Sequence, residues 1–68
     1  MKRKITFWRV SVEGSLKGEV FKDSRWHWLR PNGAKETYNR GATIEDVRDH
    51  IARLCKVWAN TVEFTKRS

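Results

Sequence analysis

The chain has 68 residues and a formal net charge of +7, from 15 basic and eight acidic residues, which excludes a multidomain protein and favours acidic partners. A chain this short buries only about 60% of the surface that its unfolded form exposes, so its core needs large side chains, and four Trp, three Phe and one Tyr supply them. The single cysteine excludes an internal disulfide. The N-terminal apolar run ends after Trp8, which is too soon for a signal peptide or a membrane span. We therefore expect one basic domain over residues 1–68, located in the cytoplasm.

The first part of the chain predicts a β-hairpin. Residues 5–13 are rich in β-forming residues, but their apolar alternation changes phase between Phe7 and Trp8. This change predicts either a strand that is covered on both faces or a bulge at that point. Residues 14–18 read GSLKG and predict a hairpin loop, and residues 19–22 then form the returning strand.

A second hairpin surrounds the strongest turn signal in the chain, the PNG sequence at residues 31–33. Residues 25–30 read RWHWLR. In a strand, this order places the two tryptophans on one face and the histidine and leucine on the other. Residues 34–39 are predicted to pair back as the next strand.

Residues 43–58 carry the clearest period in the sequence and predict the one helix. Thr43 is the predicted N-cap, and Asp46 follows three residues later in the position of a capping box. The apolar side chains recur at helical spacing and form one stripe. The stripe consists of Ile44, Val47, Ile51, Leu54 and Trp58.

After the helix, residues 61–66 alternate cleanly and predict a C-terminal strand with Val62 and Phe64 facing inward. The fold class is therefore α+β. An antiparallel sheet of three to four strands, built from two β-hairpins, packs on one helix in two layers, and the C-terminal strand follows. That last strand has two open placements, at the edge of the sheet or next to the first strand. An exposed strand edge would permit a homodimer.

Two known layouts resemble parts of this pattern. Residues 43–51, which read TIEDVRDHI, together with the preceding hairpin over PNG, resemble the strand-to-helix junction of ubiquitin-like β-grasp domains, although the N-terminal hairpin is additional. A three-stranded meander followed by a helix is similar to the AP2-like and integrase N-terminal DNA-binding domains, and this resemblance implies a sheet that reads the major groove. No site residue is carried over from either family.

The positive charge lies outside the predicted helix. Residues 43–58 hold three acids and three bases, so the strands and tails carry the whole excess. A partner that is drawn by charge should therefore meet the sheet or the tails. If the first and last strands pair antiparallel, we expect the tails to lie at opposite ends, and if they pair parallel, we expect each tail to cap its own edge. The tail residues are Lys2, Arg3, Lys4, Lys66 and Arg67.

Residues 25–38 interleave aromatic side chains with cations. Nucleic-acid binders need both, because cations neutralise phosphates and flat rings stack on bases. The first hypothesis is a non-enzymatic module that binds DNA or RNA with the outer face of its sheet, with Trp8 as its exposed aromatic. The candidate residues are Trp8, Arg9, Arg25, His27, Arg30, Lys35 and Arg40. The alternative for Trp26 and Trp28 is core packing, since a domain this small needs its tryptophans inside.

The second hypothesis is a small protein-binding regulator or inhibitor that docks an acidic surface of a partner or host enzyme. A basic sheet would suit such a surface equally well. The sequence alone does not choose between a nucleic acid and a protein partner.

Metal and catalytic chemistry have little support in the sequence. The soft metal ligands are His27, His50 and Cys55, and no CxxC or HxxxH spacing joins them. The chain also lacks a nucleophile motif and a glycine-rich phosphate loop. We therefore expect no metal, no cofactor and no enzymatic activity.

Overall fold

The computed structural model describes residues 5–67. The elements follow in the order β1 Phe7–Val12, β2 Ser15–Lys22, β3 Trp26–Leu29, β4 Lys35–Thr37, α1 Ile44–Cys55, a 3-10 turn at Ala59–Thr61 and β5 Val62–Lys66. The five strands form one antiparallel sheet in the order β4-β3-β2-β1-β5. The predicted two-layer α+β fold is confirmed, and β5 lies both at the edge of the sheet and next to β1.

Alternate strand residues and one side of α1 form the core. The buried apolar residues are Val10, Val12, Val20, Trp28, Val47, Ile51, Ala52 and Val62. The indole N–H of Trp28 donates to the carbonyl oxygen of Lys17 at 2.9 Å, so the polar group of this core residue stays hydrogen-bonded. We call the sheet surface that packs on α1 the core face and the opposite surface the open face.

The helix α1 begins where the sequence predicts. The Thr43 hydroxyl accepts a hydrogen bond from the Asp46 N–H at 3.2 Å, and the Asp46 carboxylate accepts one from the Thr43 N–H at 2.9 Å. These two bonds complete the capping box. Glu45 adds a second acid to the first turn, where negative charge interacts favourably with the helix dipole.

The end of α1 differs from the prediction, because the helix stops at Cys55 and not at Trp58. Lys56 adopts the left-handed conformation, with φ 58° and ψ 45°, and its N–H bonds to carbonyl oxygens of the last turn. The chain then turns away, so Trp58 is 82% exposed and Leu54 51% exposed. Their placement in the apolar stripe was wrong, since the apolar period continues past Lys56 without a glycine or proline to mark the stop. Within residues 5–67, no helix is long and apolar enough to cross a membrane.

The first hairpin turns more tightly than the sequence predicts. Its turn is Glu13–Gly14, and both residues have positive φ, 52° and 81°, as the two-residue type I′ turn requires. The predicted loop at residues 14–18 is therefore wrong, and β2 already begins at Ser15.

A β-bulge lies opposite Val10 in β2, and not at residues 7–8, where a bulge was one of the two alternatives that the sequence left open. Lys17 and Gly18 together oppose Val10 of β1, and the register shifts by one residue there. A Cβ atom on Gly18 would lie 2.2 Å from the carbonyl oxygen of Leu29, so only glycine lets β2 and β3 approach each other at this point. Around residues 7–8 the strand is instead covered on both faces, which was the other alternative.

The start of β1 and the end of β5 lie at the same end of the sheet. The Arg67 N–H donates to the carbonyl oxygen of Phe7 at 2.8 Å, and Lys66 opposes Trp8 in the register. The expectation that antiparallel pairing would separate the tails was wrong, because antiparallel neighbours place the start of one strand beside the end of the other. The predicted basic tail at residues 2–4 lies outside the described residues.

Candidate nucleic-acid interface

The seven predicted site residues do not share one face. Three lie on the open face, namely Arg9, His27 and Lys35. Two pack on tryptophans of the core face, namely Trp8 on Trp26 and Arg30 on Trp28. Two are exposed in loops, namely Arg25 before β3 and Arg40 before α1. Trp8 is therefore half-buried against the core side of the sheet and is not an aromatic of the outer face.

A row of three rings in contact crosses the open face. Phe7 opposes Phe21, and Phe21 opposes His27, with ring centroids 4.8 Å apart in both pairs and an angle of only 22° in the second pair. The guanidinium group of Arg67 lies 5.5 Å from the Phe7 centroid at one end of the row, and Thr37 opposes His27 at the other. Because the rings of Phe21 and His27 face one another, their own stacking occupies flat surfaces that a base would need.

His27 is a structural member of this row. It is 8% exposed, and its Nε2 lies 2.9 Å from Asp23 Oδ1 while its Nδ1 lies 3.1 Å from Thr37 Oγ1. The Arg25 N–H also donates to Asp23 Oδ1 at 3.0 Å. This N–H bond, followed by the bond to His27, lowers the pKa of Asp23 to about 2. Since both ring nitrogens of His27 already have partners, the ring ties the β2–β3 turn to β4 and offers no free nitrogen to a ligand.

A depression of about 610 Å³ also lies on the open face, beside the first hairpin. Its charged lining residues are Arg9, Glu19 and Arg30, and none of residues 5–67 that line it is aromatic. Two of these charges are already paired, because Glu19 lies 2.7 Å from Arg67 and Arg30 lies 3.2 Å from Glu36. This depression therefore offers little net positive charge to an anion.

Exposed cations collect at the end of the sheet where β1 begins and where β2, β4 and β5 end. We call this region the basic end, and its cations are Lys22, Arg25, Arg40 and Lys66. None of the four forms an ion pair with another of residues 5–67. The nearby acids have partners of their own: Asp23 bonds to His27, Asp46 caps α1 and Glu45 lies 3.7 Å from Arg48. The positive charge of the basic end is therefore available to an external anion.

An apolar groove of about 300 Å³ opens at the basic end, between the sheet and the start of α1. We call it the aromatic groove, and it is lined by Trp8, Trp26, Ile44 and Phe64, all half-buried. The centroids of Trp8 and Trp26 lie 5.6 Å apart, but their rings are inclined by 48°. The two indoles therefore do not cover one another face to face, and part of each indole lines the groove.

Cations border the aromatic groove. The Lys22 ammonium lies 5.9 Å from the Trp26 centroid, and the guanidinium carbon of Arg48 lies 5.2 Å from the Phe64 centroid. Lys66 opposes a lining tryptophan in the β1–β5 register, so its side chain leaves the sheet on the same face. The groove thus presents apolar rings inside and positive charges at its margins.

A second depression, of about 390 Å³, adjoins the aromatic groove and shares Trp26 and Ile44 with it. Its further lining is polar and includes Lys22, Ser24 and Arg25. The two depressions form one continuous surface that leads from β5 to the loop before α1.

The sequence did not identify Lys22, Arg48 or Phe64 as residues of this surface. Phe64 was predicted to face inward, and it does so at the open margin of the core. Only the pairing of β5 with β1 brings Phe64 and Lys66 next to Trp8. No local pattern in the sequence reports that pairing, because it joins residues far apart in the chain.

The histidine and cysteine residues considered as metal ligands make other contacts in the structure. Within residues 5–67, no group of three or more His, Cys, Asp or Glu side chains is arranged to hold a metal ion. His50 Nδ1 is hydrogen-bonded to the Tyr38 hydroxyl at 2.8 Å, and burial, followed by the charge of Glu36, raises the pKa of Tyr38 to about 12. Cys55 is a half-buried free thiol that packs against the core.

Comparisons of the chain with protein-family models, with curated proteins and with solved structures find no match.

Proposed function

We propose that the protein is a non-enzymatic nucleic-acid-binding module that contacts the phosphate backbone with its basic end. The observation that carries this proposal is the set of four exposed cations beside the aromatic groove that have no ion-pair partner among residues 5–67. Lysine and arginine side chains that neutralise phosphates release condensed counterions, and this release drives binding to nucleic acid of any sequence. The net charge of +7 adds attraction at longer range.

The aromatic groove favours nucleic acid over an acidic protein surface as the partner. Positive charge alone suits either partner. Nucleic acid, however, can use both features together, because its bases stack on uncovered aromatic rings while its phosphates contact the neighbouring cations. An acidic protein surface that met only the four cations would leave this groove without a role.

A salt titration tests the proposal. Fluorescence anisotropy would measure the binding of the protein to labelled mixed-sequence DNA and RNA, each as a single strand and as a duplex. If each of the four cations neutralises one phosphate, the slope of log K against log salt is about −2.8 for single strands and about −3.6 for duplex DNA. A folded protein that binds none of these ligands at low salt would refute the proposal.

Two matched variants locate the contact. Arg25→Gln removes one cation of the basic end and is expected to weaken binding and to make the single-strand slope shallower by about 0.7. Arg53→Gln removes the same charge from the last turn of α1 and is expected to leave affinity and slope unchanged. If the two variants behaved alike, the basic end would not be the contact surface.

A further inference from the structure

We infer that the aromatic groove receives an unpaired nucleobase, so that the ligand of the basic end is single-stranded nucleic acid. The inference rests on the proposed function and adds to it the form of the ligand and the site of one base. It depends on the size of the groove, on the open faces of its rings and on the position of the cations around it.

The size of the groove suits a single planar ring system. Its volume of about 300 Å³ stands at the lower limit of roughly 300–1,000 Å³ for pockets that enclose drug-sized molecules. Its lining consists of two indoles, a phenyl ring and an isoleucine side chain. A nucleobase is flat, aromatic and small enough to lie among such side chains.

The inclined arrangement of Trp8 and Trp26 leaves stacking surface available. Their rings meet at 48°, whereas Phe21 and His27 on the open face meet at 22° and cover each other. Stacking on an aromatic side chain tolerates any base, because every base has a π-face. The groove is therefore suited to bind a base without reading its sequence.

The cations lie where the flanking phosphates of such a base would pass. Lys22 lies over Trp26 on the margin shared with the polar depression, and Lys66 opposes Trp8 on the β5 side. Arg25 lines the polar depression beyond Trp26. A strand that crosses the groove thus meets a positive charge on each side of the inserted base.

A duplex cannot use the groove in the same way. Each base of a duplex is paired and is stacked on both sides, so it enters a pocket only after it has been unpaired and unstacked. A duplex would therefore reach the four cations and leave the groove empty. Single strands alone gain both contributions without that penalty.

Three probes of equal length test the inference without altering the protein. They are a single-stranded oligodeoxythymidine, a strand of abasic deoxyribose phosphates and a DNA duplex. All three carry phosphates, and only the first offers unpaired bases. We expect the oligodeoxythymidine to bind at least about tenfold more tightly than either of the others.

Two tryptophan variants assign this preference to the groove. Trp26→Leu keeps the site apolar but removes an indole, and we expect the two single strands to bind it with nearly equal affinity. Trp58→Leu removes an indole that is 82% exposed outside the groove and should keep the tenfold preference. Circular dichroism checks the fold of each variant, and Phe64→Leu replaces Trp26→Leu if the latter does not fold.

The outcomes separate the inference from the proposed function. Equal affinity for the three probes would overturn the inference and leave the proposed function in place. A Trp26→Leu or Phe64→Leu protein that retained the full preference would also overturn it, because the base would then bind elsewhere. No binding to any probe at low salt would overturn both.

Discussion

The open face and the aromatic groove both carry aromatic rings, and they differ in whether the flat faces of those rings are covered. On the open face, Phe21 stacks on His27 at 22° and packs against Phe7 at 37°. In the groove, the indoles of Trp8 and Trp26 are inclined to each other and border an apolar depression. Aromatic residues near cations therefore do not by themselves locate a binding surface, because the ring-to-ring geometry decides which of them can stack on a ligand.

The two regions also differ in how much of their charge is paired internally. On the open face, Glu19 and Arg67 lie 2.7 Å apart, whereas Arg9 and Lys35 form no ion pair with another of residues 5–67. At the basic end, the four cations have no ion-pair partner among residues 5–67. The open face therefore engages part of its charge internally, whereas all four cations of the basic end are available to a partner.

The largest effect is expected from the core that supports both regions. Ile51 is fully buried, and Ile51→Ala should lower the free energy of unfolding by about 2–5 kcal/mol, which is a large share of the stability of a small domain. Leu54→Ala, on the exposed side of the same helix, should cost less than about 1 kcal/mol, because little buried surface is lost. Urea unfolding measures both. Equal losses would show that the apolar stripe extends to Leu54, as the sequence predicted.

A substitution in the open-face row should have an intermediate effect on stability and should distinguish the open face from the aromatic groove. Phe21→Ala interrupts the open-face row, and for a half-buried phenyl ring we expect a loss of about 2 kcal/mol in the free energy of unfolding. The affinity of the folded variant for single-stranded nucleic acid should stay within about twofold of the original, since a change of that size lies below about 0.5 kcal/mol. Anisotropy below the unfolding transition measures it. If Phe21→Ala abolished binding by a folded protein, the open face would be the binding surface.

The sequence predicted the features of the fold that depend on local order. The capping box of Thr43 and Asp46 and the alternation of the strands are properties of neighbouring residues, and both are confirmed. The end of α1 escaped prediction, because a lysine in the left-handed conformation carries no sequence signal. The candidate surface was only partly predictable, since the meeting of Phe64 with Trp8 depends on pairing between the first and last strands.

The roles of the charged residues also depend on contacts that the sequence does not show. His27 was predicted as a binding residue from its place among tryptophans and arginines, and the structure gives both of its nitrogens internal partners. Arg48 was counted among the balanced charges of the helix, and its guanidinium group lies over Phe64 at the groove. Composition reports how many cations a segment has, but only the three-dimensional contacts show which of them are engaged.

The smallest expected effect is the change in stability at low pH that comes from Asp23, at the end of the open-face row. The pKa of Asp23 falls from the ordinary 3.8 to about 2 because its carboxylate accepts the Arg25 N–H and then the bond to His27. The folded state therefore binds this proton less readily than the unfolded state, so the carboxylate stabilises the fold above about pH 4 and loses that effect as the pH falls towards about 2. The effect should be small, because the carboxylate is exposed to solvent.

Asp23→Asn isolates this contribution, because the remaining carboxyl groups titrate alike in both proteins and cancel in the difference. We expect the melting temperature of the original protein to exceed that of Asp23→Asn at about pH 5, and the difference to shrink as the pH approaches 2. Binding to single-stranded nucleic acid at neutral pH should not weaken, since the row does not line the aromatic groove and the substitution removes a negative charge beside the basic end. A difference in melting temperature that stayed constant across the acid range would show that the turn does not hold the carboxylate ionised. A loss of affinity in a folded Asp23→Asn protein would instead connect the row to the basic end and remove the distinction between the two regions.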